Sequence, residues 1–260
     1  MPLWLSMQKI KKSNILTQES DNNSSLDGRV PASAGGSASS VYSSGNHRGL
    51  LATLIILAVI IIDQAIKIWV KTDFYWGEDK EIFSFFHLRF VQNPGMAFGW
   101  QLGSKLFLTV FRIIAVSAII WYISRIRNIR RLPVGYVVCF SLICAGAAGN
   151  IFDCVFYGEI FNNPYPPAVA QFVPWGQGYA PIFEGMVVDM FYFPLFSFTW
   201  PSWVPVLGGS VFSFFDPVFN FADAAISVGM IALIIFYHRY LLVLNEKGMD
   251  EIENEKKSRG

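Results

Sequence analysis

The chain has 260 residues, of which 53% are hydrophobic, 16% aromatic and only 15% charged, with a formal net charge of +1. Soluble domains carry about 25% charged residues, so the composition points to a membrane protein, and without an extended basic face it argues against a nucleic-acid partner. Three cysteines and three histidines with no Cys-x-x-Cys spacing support neither a zinc site nor a disulfide framework, and no metal or cofactor is expected.

Residues 1–48 are polar and rich in Ser, Asn and Gly, as in Ser33-Ala-Gly-Gly-Ser-Ala-Ser-Ser40. Such a segment buries too little apolar surface to fold and reads as a disordered tail. Its Leu3–Leu5 patch is too short for a signal-peptide core, and it precedes the lysines Lys9, Lys11 and Lys12 instead of following them. Four apolar runs follow, at Leu50–Val70, about 106–123, about 134–156 and about 218–242. Each is near the ~20 residues a helix needs to cross ~30 Å of hydrocarbon.

Orientation is read from Lys and Arg. The loop between runs two and three carries Arg125, Arg127, Arg130 and Arg131, and both terminal segments are basic. The segment Tyr157–Pro217 holds no Lys or Arg. Both termini and the Arg loop are therefore expected in the cytoplasm, with loops 71–104 and 157–217 on the opposite side. Segment 157–217 also holds nine of the thirteen prolines, together with Trp175, Trp200 and Trp203. Trp and Tyr favour the headgroup layer, so this segment is expected to lie against the outer membrane surface. Segment 82–91 alternates and is β-prone, which predicts a small sheet there. The fold class expected is thus membrane α-helical: four transmembrane helices with a small extracytoplasmic β-cradle and an interfacial loop. The corresponding division is a cytoplasmic tail 1–48, a membrane domain 49–244 and a cytoplasmic tail 245–260.

Polar residues in these runs are the candidate site. Asp63 and Lys67 stand at i and i+4 on one face of the first helix, within ion-pair reach. Asn93-Pro-Gly95 opens a turn, which is either a plain turn or one that points an amide into a groove. The second run contains Arg112, which needs a partner when buried; Asp63 and Asp153 both qualify. Gly146-Ala-Ala-Gly-Asn150-Ile-Phe-Asp153 closes the third run, its small residues allowing close helix approach and its Asn150 and Asp153 sharing a face. These two serve interhelical hydrogen bonds or line a cleft. Cys139, Cys144 and Cys154 read as small buried side chains.

Asp189 and Asp223 lie at the outer boundary, the latter opening the fourth run after Asn220. A carboxylate beside hydrocarbon is a functional-site candidate by default. The pair fits a structural pairing, a proton relay, or a dyad that shares a proton and activates water. A proton-coupled carrier would spread its acids along several helices and often show an internal repeat, and a non-catalytic scaffold has no need of two acids on one side.

Asp63-Gln-Ala-Ile-Lys67, Asn93-Pro-Gly-Met-Ala-Phe98, Gly146-Ala-Ala-Gly-Asn-Ile-Phe-Asp153, Val187-Val-Asp189 and Phe219-Asn-Phe-Ala-Asp223 occur in that order. Together they resemble the lipoprotein signal peptidases, also called signal peptidase II, over residues 50–242. The resemblance implies an aspartic endopeptidase of the bacterial inner membrane, acting as a monomer among membrane lipids with its site near the periplasmic face. Its implied substrate is a diacylglyceryl-modified prolipoprotein, cut just before the lipidated cysteine. Asp189 and Asp223 match the family's catalytic pair. Asp63, Lys67, Asn93, Gly95, Asn150, Asp153 and Asn220 match supporting or substrate-lining positions. Two departures stand out: the family's Asp-Arg is Asp153-Cys154 here, and an insertion spans roughly 162–182.

Overall fold

The computed structural model describes residues 36–94, 105–214, 216–241, 247–250 and 254. The chain divides into Met1–Ser37 and Ala38–Gly260, and apart from the first two residues of helix α1 every element below belongs to the second unit.

Helix α1 (Gly36–Asp73) contains a span, His47–Asp73, long and apolar enough to cross a membrane. Helix α2 (Lys105–Ile126) is a second, and α3 (Val134–Phe152) a third, extended by a π-helical turn at Asp153–Tyr157 and one more turn to Ile160. Helix α4 (Phe221–Phe236) has 16 residues and rises about 24 Å, a little less than the hydrocarbon thickness. Leu54, Ile61, Phe107, Phe111, Ile114 and Ile234 are all more than half exposed on the helix surfaces, an arrangement that only a lipid solvent favours. The buried face joins the helices through a core that includes Val116, Ile123, Val137, Ile143 and Leu233.

At one end of the bundle the Arg loop is stitched to both flanks. Arg48 at the start of the apolar span of α1 donates to the carbonyls of Ile129 and Arg130 at 2.6 and 2.9 Å. Arg131 pairs with Asp250, and the neighbouring Met249 is buried in the core, so this part of the segment assigned to a C-terminal tail is docked. Similarly, α1 reaches back to Gly36, into the segment assigned to the N-terminal tail, of which residues 1–35 lie outside the described residues.

At the other end sits an antiparallel sheet, order β1-β2-β3-β6, made from Asp79–Phe83, Phe86–Asn93, Val187–Tyr192 and Val218–Phe219. Between β3 and β6 the chain leaves to form a separate hairpin, β4 (Phe196–Thr199) with β5 (Val211–Phe214). The expected sheet at 82–91 is present. The fourth apolar run, however, is helical over a shorter stretch than 218–242. Val218 and Phe219 pair with Tyr192 and Phe191 as strand β6, and the Asn220 side chain then caps the helix, so pairing and capping override the apolar pattern.

Candidate active site

Asp189 and Asp223 come from different elements. Asp189 lies in the middle of β3, opposite Val91 of β2. Asp223 is in the first turn of α4, where its carboxylate accepts from the Asn220 backbone N–H at 3.3 Å while Asn220 Oδ1 accepts from the Asp223 N–H at 2.9 Å. This reciprocal capping box satisfies two of the donors that every helix start leaves free. It also fixes Asn220, whose Nδ2 donates to Asp189 Oδ1 at 2.6 Å and to Asn150 Oδ1 at 3.1 Å. Asn150 in turn donates from its Nδ2 to Asp223 Oδ1 at 2.8 Å. The two carboxylates are thus joined through the amides of Asn220 and Asn150.

Lys67 sets the orientation of this bridge. Its Nζ donates to Asn150 Oδ1 at 2.8 Å, to Asp63 Oδ2 at 2.9 Å and to Asp153 Oδ2 at 2.9 Å, using all three of its protons. Lys67, Asp63 and Asp153 are fully buried. Each carboxylate partner of Lys67 holds one of the two Asp-bearing elements. Asp63 Oδ1 accepts from the Ala222 N–H of α4 at 2.9 Å, and Asp153 Oδ2 from the Val188 N–H of β3 at 3.1 Å. One buried cation therefore ties the helix carrying Asp223 to the strand carrying Asp189. Such a triad is costly to desolvate and holds only because its members are fully hydrogen-bonded.

The two acids sit in different surroundings. Asp223 is half-buried, whereas Asp189 is 3% exposed. Burial, reinforced by the nearby Asp223 charge, pushes the Asp189 carboxyl up to about 7, against the pull of hydrogen bonds from Asn220 and Asn93. A carboxyl poised there is protonated about as often as not at neutral pH, while its partner faces the wetter side.

The family model for signal peptidase II matches residues 55–239. The chain belongs to the signal peptidase II family. It is therefore a peptidase and a membrane protein. The lipoprotein signal peptidase of Porphyromonas gingivalis is 46% identical over 197 residues, 76% of this chain and 87% of its own. That of Amoebophilus asiaticus is 40% identical over 193 residues, 71% of this chain and 76% of its own. A solved bacterial membrane enzyme overlaps 71% of this chain and 90% of its own at 23% identity, with a TM-score of 0.47.

Of the residues singled out from sequence, Asp63, Lys67, Asn93, Asn150, Asp153, Asp189, Asn220 and Asp223 fall into one network; Gly95 lies outside the described residues. The expectation for Arg112 fails. Neither Asp63 nor Asp153 is its partner, because Lys67 takes up both; Arg112 Nη1 instead donates to Cys154 Sγ at 3.3 Å. A guanidinium from α2 thus reaches Cys154, the residue next to Asp153. The three cysteines are buried and free.

Residues missed from sequence complete the setting. Gln64 donates to Asp153 Oδ1 at 2.8 Å and accepts from the Tyr157 hydroxyl at 3.0 Å. A glutamine inside an apolar run beside Asp63 was the available signal. Lys71 is fully buried against Phe90, Phe161 and Tyr179, 5.1–5.8 Å from their ring centres, and donates to Gln92 Oε1 at 3.3 Å. Gln92 Nε2 donates to Asn163 at 2.7 Å, which docks the start of segment 162–182 on the strand that carries Asn93. A further lysine one helical turn after Lys67 marked this position, but nothing local in the sequence marks an aromatic cage.

Proposed function

We propose that the chain is an intramembrane aspartic endopeptidase that removes the signal peptide from diacylglyceryl-modified prolipoproteins, cutting just before the lipidated cysteine. The observation that carries this reading is the coupling of two acids on separate elements through Asn220 and Asn150, at the end of the bundle opposite the Arg loop. The names of the relatives supply the substrate class.

In this mechanism Asp189 holds the shared proton and Asp223 is the base. Asp223 takes a proton from water as the water oxygen bonds to the scissile carbonyl carbon. Asp189 donates a hydrogen bond to the carbonyl oxygen and stabilises the negative charge that develops there. As the C–N bond breaks, the proton on Asp223 passes to the leaving nitrogen, which becomes the amino terminus of the lipidated cysteine. Asn220 and Asn150 keep the two carboxyls in register, and the apparent pKa values belong to the pair. The enzyme acts as a monomer in the bacterial inner membrane, with the site near the periplasmic face, and the substrate's lipid stays in the bilayer.

The test is cleavage of a purified diacylglyceryl-prolipoprotein followed by gel mobility. The chain is expected to release the signal peptide, and Asp189→Asn and Asp223→Asn, each folded as judged by its melting profile, are expected to leave the substrate uncut. Full processing by either variant removes that residue from the dyad, and an inactive parent chain sinks the substrate assignment.

A further inference from the structure

The β4–β5 hairpin is not part of the catalytic network, and its pattern is distinctive. Residues 195–214 contain no charged side chain. Its register sets Phe196 opposite Phe214 and Phe198 opposite Phe212. Because strand side chains alternate, these four rings share one face. Phe196 stacks on Phe214 at 4.9 Å, Phe198 meets Phe212 at a tilt at 5.2 Å, and Trp200 packs edge-on against Phe198 at 5.0 Å. Despite these contacts all four phenylalanines remain 41–52% exposed. At the tip, Trp203 is 80% exposed and Val206 is completely exposed.

In water this surface is an aggregation liability. It suits a bilayer surface in two further ways. The backbone N–H groups of Trp200, Val204, Leu207, Gly208, Gly209 and Ser210 all bond to carbonyls within the same loop, as an apolar environment requires. Trp at the end of an apolar face is the side chain that settles at headgroup depth. Short connections leave the hairpin little reach. It departs from β3 at Tyr192 and returns through β6 to Phe221, where membrane helix α4 begins.

We infer that the β4–β5 hairpin is an interfacial anchor that inserts its phenylalanine face and its Trp203–Val206 tip into the outer leaflet. The occupant of this face is lipid. The apolar helix α4 follows the hairpin directly after β6, and the absence of charge over 195–214 matches hydrocarbon and suits neither an acidic nor a basic partner. The anchor grips the chain between the strand of Asp189 and the helix of Asp223, so it fixes the depth at which the site meets a membrane-held substrate. This role rests on the proposed function only in placing that end of the bundle at the outer surface.

The experiment uses the full chain in phosphatidylcholine–phosphatidylglycerol vesicles and compares it with Trp203→Phe, which keeps the apolar character. The difference between the two fluorescence spectra isolates Trp203. It is expected to be quenched by lipids brominated high on the acyl chain and protected from aqueous iodide. Quenching by iodide with no effect of bromolipid overturns the inference. Protection from both quenchers also overturns it: if protection vanishes as the protein is diluted into lipid, a second copy covers the face, and if it persists, another part of the chain does. A second arm adds Trp203→Asp with Val206→Asp, which is expected to raise KM for the vesicle-borne substrate several-fold with kcat little changed. An unchanged KM overturns the role in depth. The quenching arm does not involve cleavage, so its failure is distinguishable from failure of the peptidase reading.

Discussion

Asp189 links stability to pH in a way that reveals its proton. Its carboxyl titrates near 7 in the folded chain against about 3.8 in the reference state, so between those values the folded form binds the extra proton. Stability contributed by Asp189 is therefore full below about pH 4 and is lost as pH rises to 7. Asp189→Asn removes this loss. The variant is expected to melt at the same temperature as the parent near pH 4 and at a higher temperature at pH 8, a gap on the order of a few kcal/mol. Thermal unfolding in detergent across this range checks it; a gap that stays constant with pH overturns the assignment. The same proton predicts that kcat/KM falls on the alkaline side near pH 7. The two buried lysines separate a second pair of roles. Lys67→Met strands Asp63 and Asp153 without their cation and is expected to cost about 3–5 kcal/mol, preventing stable folding. Lys71 has an aromatic cage and an amide acceptor in place of an ion pair, and methionine packs well against ring edges. Lys71→Met is accordingly expected to fold and keep most activity, as expression and melting would show. Equal damage from both substitutions contradicts this division.

At the scale of elements, the approach of α3 to α4 sets the site. A Cβ on Gly146 would lie 2.2 Å from the Ala222 carbonyl oxygen, a backbone atom in the first turn of α4. A Cβ on Gly229, further along the same interface, would lie 2.8 Å from the Cys139 carbonyl oxygen. Both Gly→Ala changes force the helices apart and cost about 1–3 kcal/mol. Only Gly146→Ala displaces the turn that holds Asn220 and Asp223, and a shift of about 1 Å there lowers rate on the order of 100-fold. Melting and kcat measured together are expected to show two similarly destabilised variants, of which Gly229→Ala alone keeps its rate. Much of this packing is legible in the sequence. The small residues at 145–149 announce close approach, and the i, i+4 spacing of Asp63 and Lys67 announces their pair. The link from Asn220 to Asp189 is not legible. It joins a helix cap to a strand across 31 positions, and no local pattern specifies it. The hairpin is hidden for a related reason: Phe-Ser-Phe-Thr is only four residues long, and its register becomes visible only when β5 pairs with it. Arg112 was mispaired because a sequence shows which acids lie nearby but not which are already taken.

For the whole molecule the question is which end faces outward. The structure gathers the Arg loop, the start of the apolar span of α1 and Asp250 at one end, and the sheet with both catalytic candidates at the other. By the charge rule the first end is expected in the cytoplasm. Lysines allow a direct check. Between α1 and the C-terminal segment the only lysines are Lys80 and Lys105, both before α2 leaves the sheet end of the bundle, and Lys80 is 47% exposed. A membrane-impermeant amine reagent applied to intact spheroplasts is expected to label the chain at Lys80. The Lys80→Arg Lys105→Arg variant is expected to stay unlabelled until the membrane is permeabilised and the terminal lysines Lys9, Lys11, Lys12, Lys247, Lys256 and Lys257 become reachable. Labelling of this double variant in sealed cells would put lysines of a terminal segment outside. The two aspartates would then face the cytoplasm, a side on which an exported prolipoprotein does not present its cleavage site.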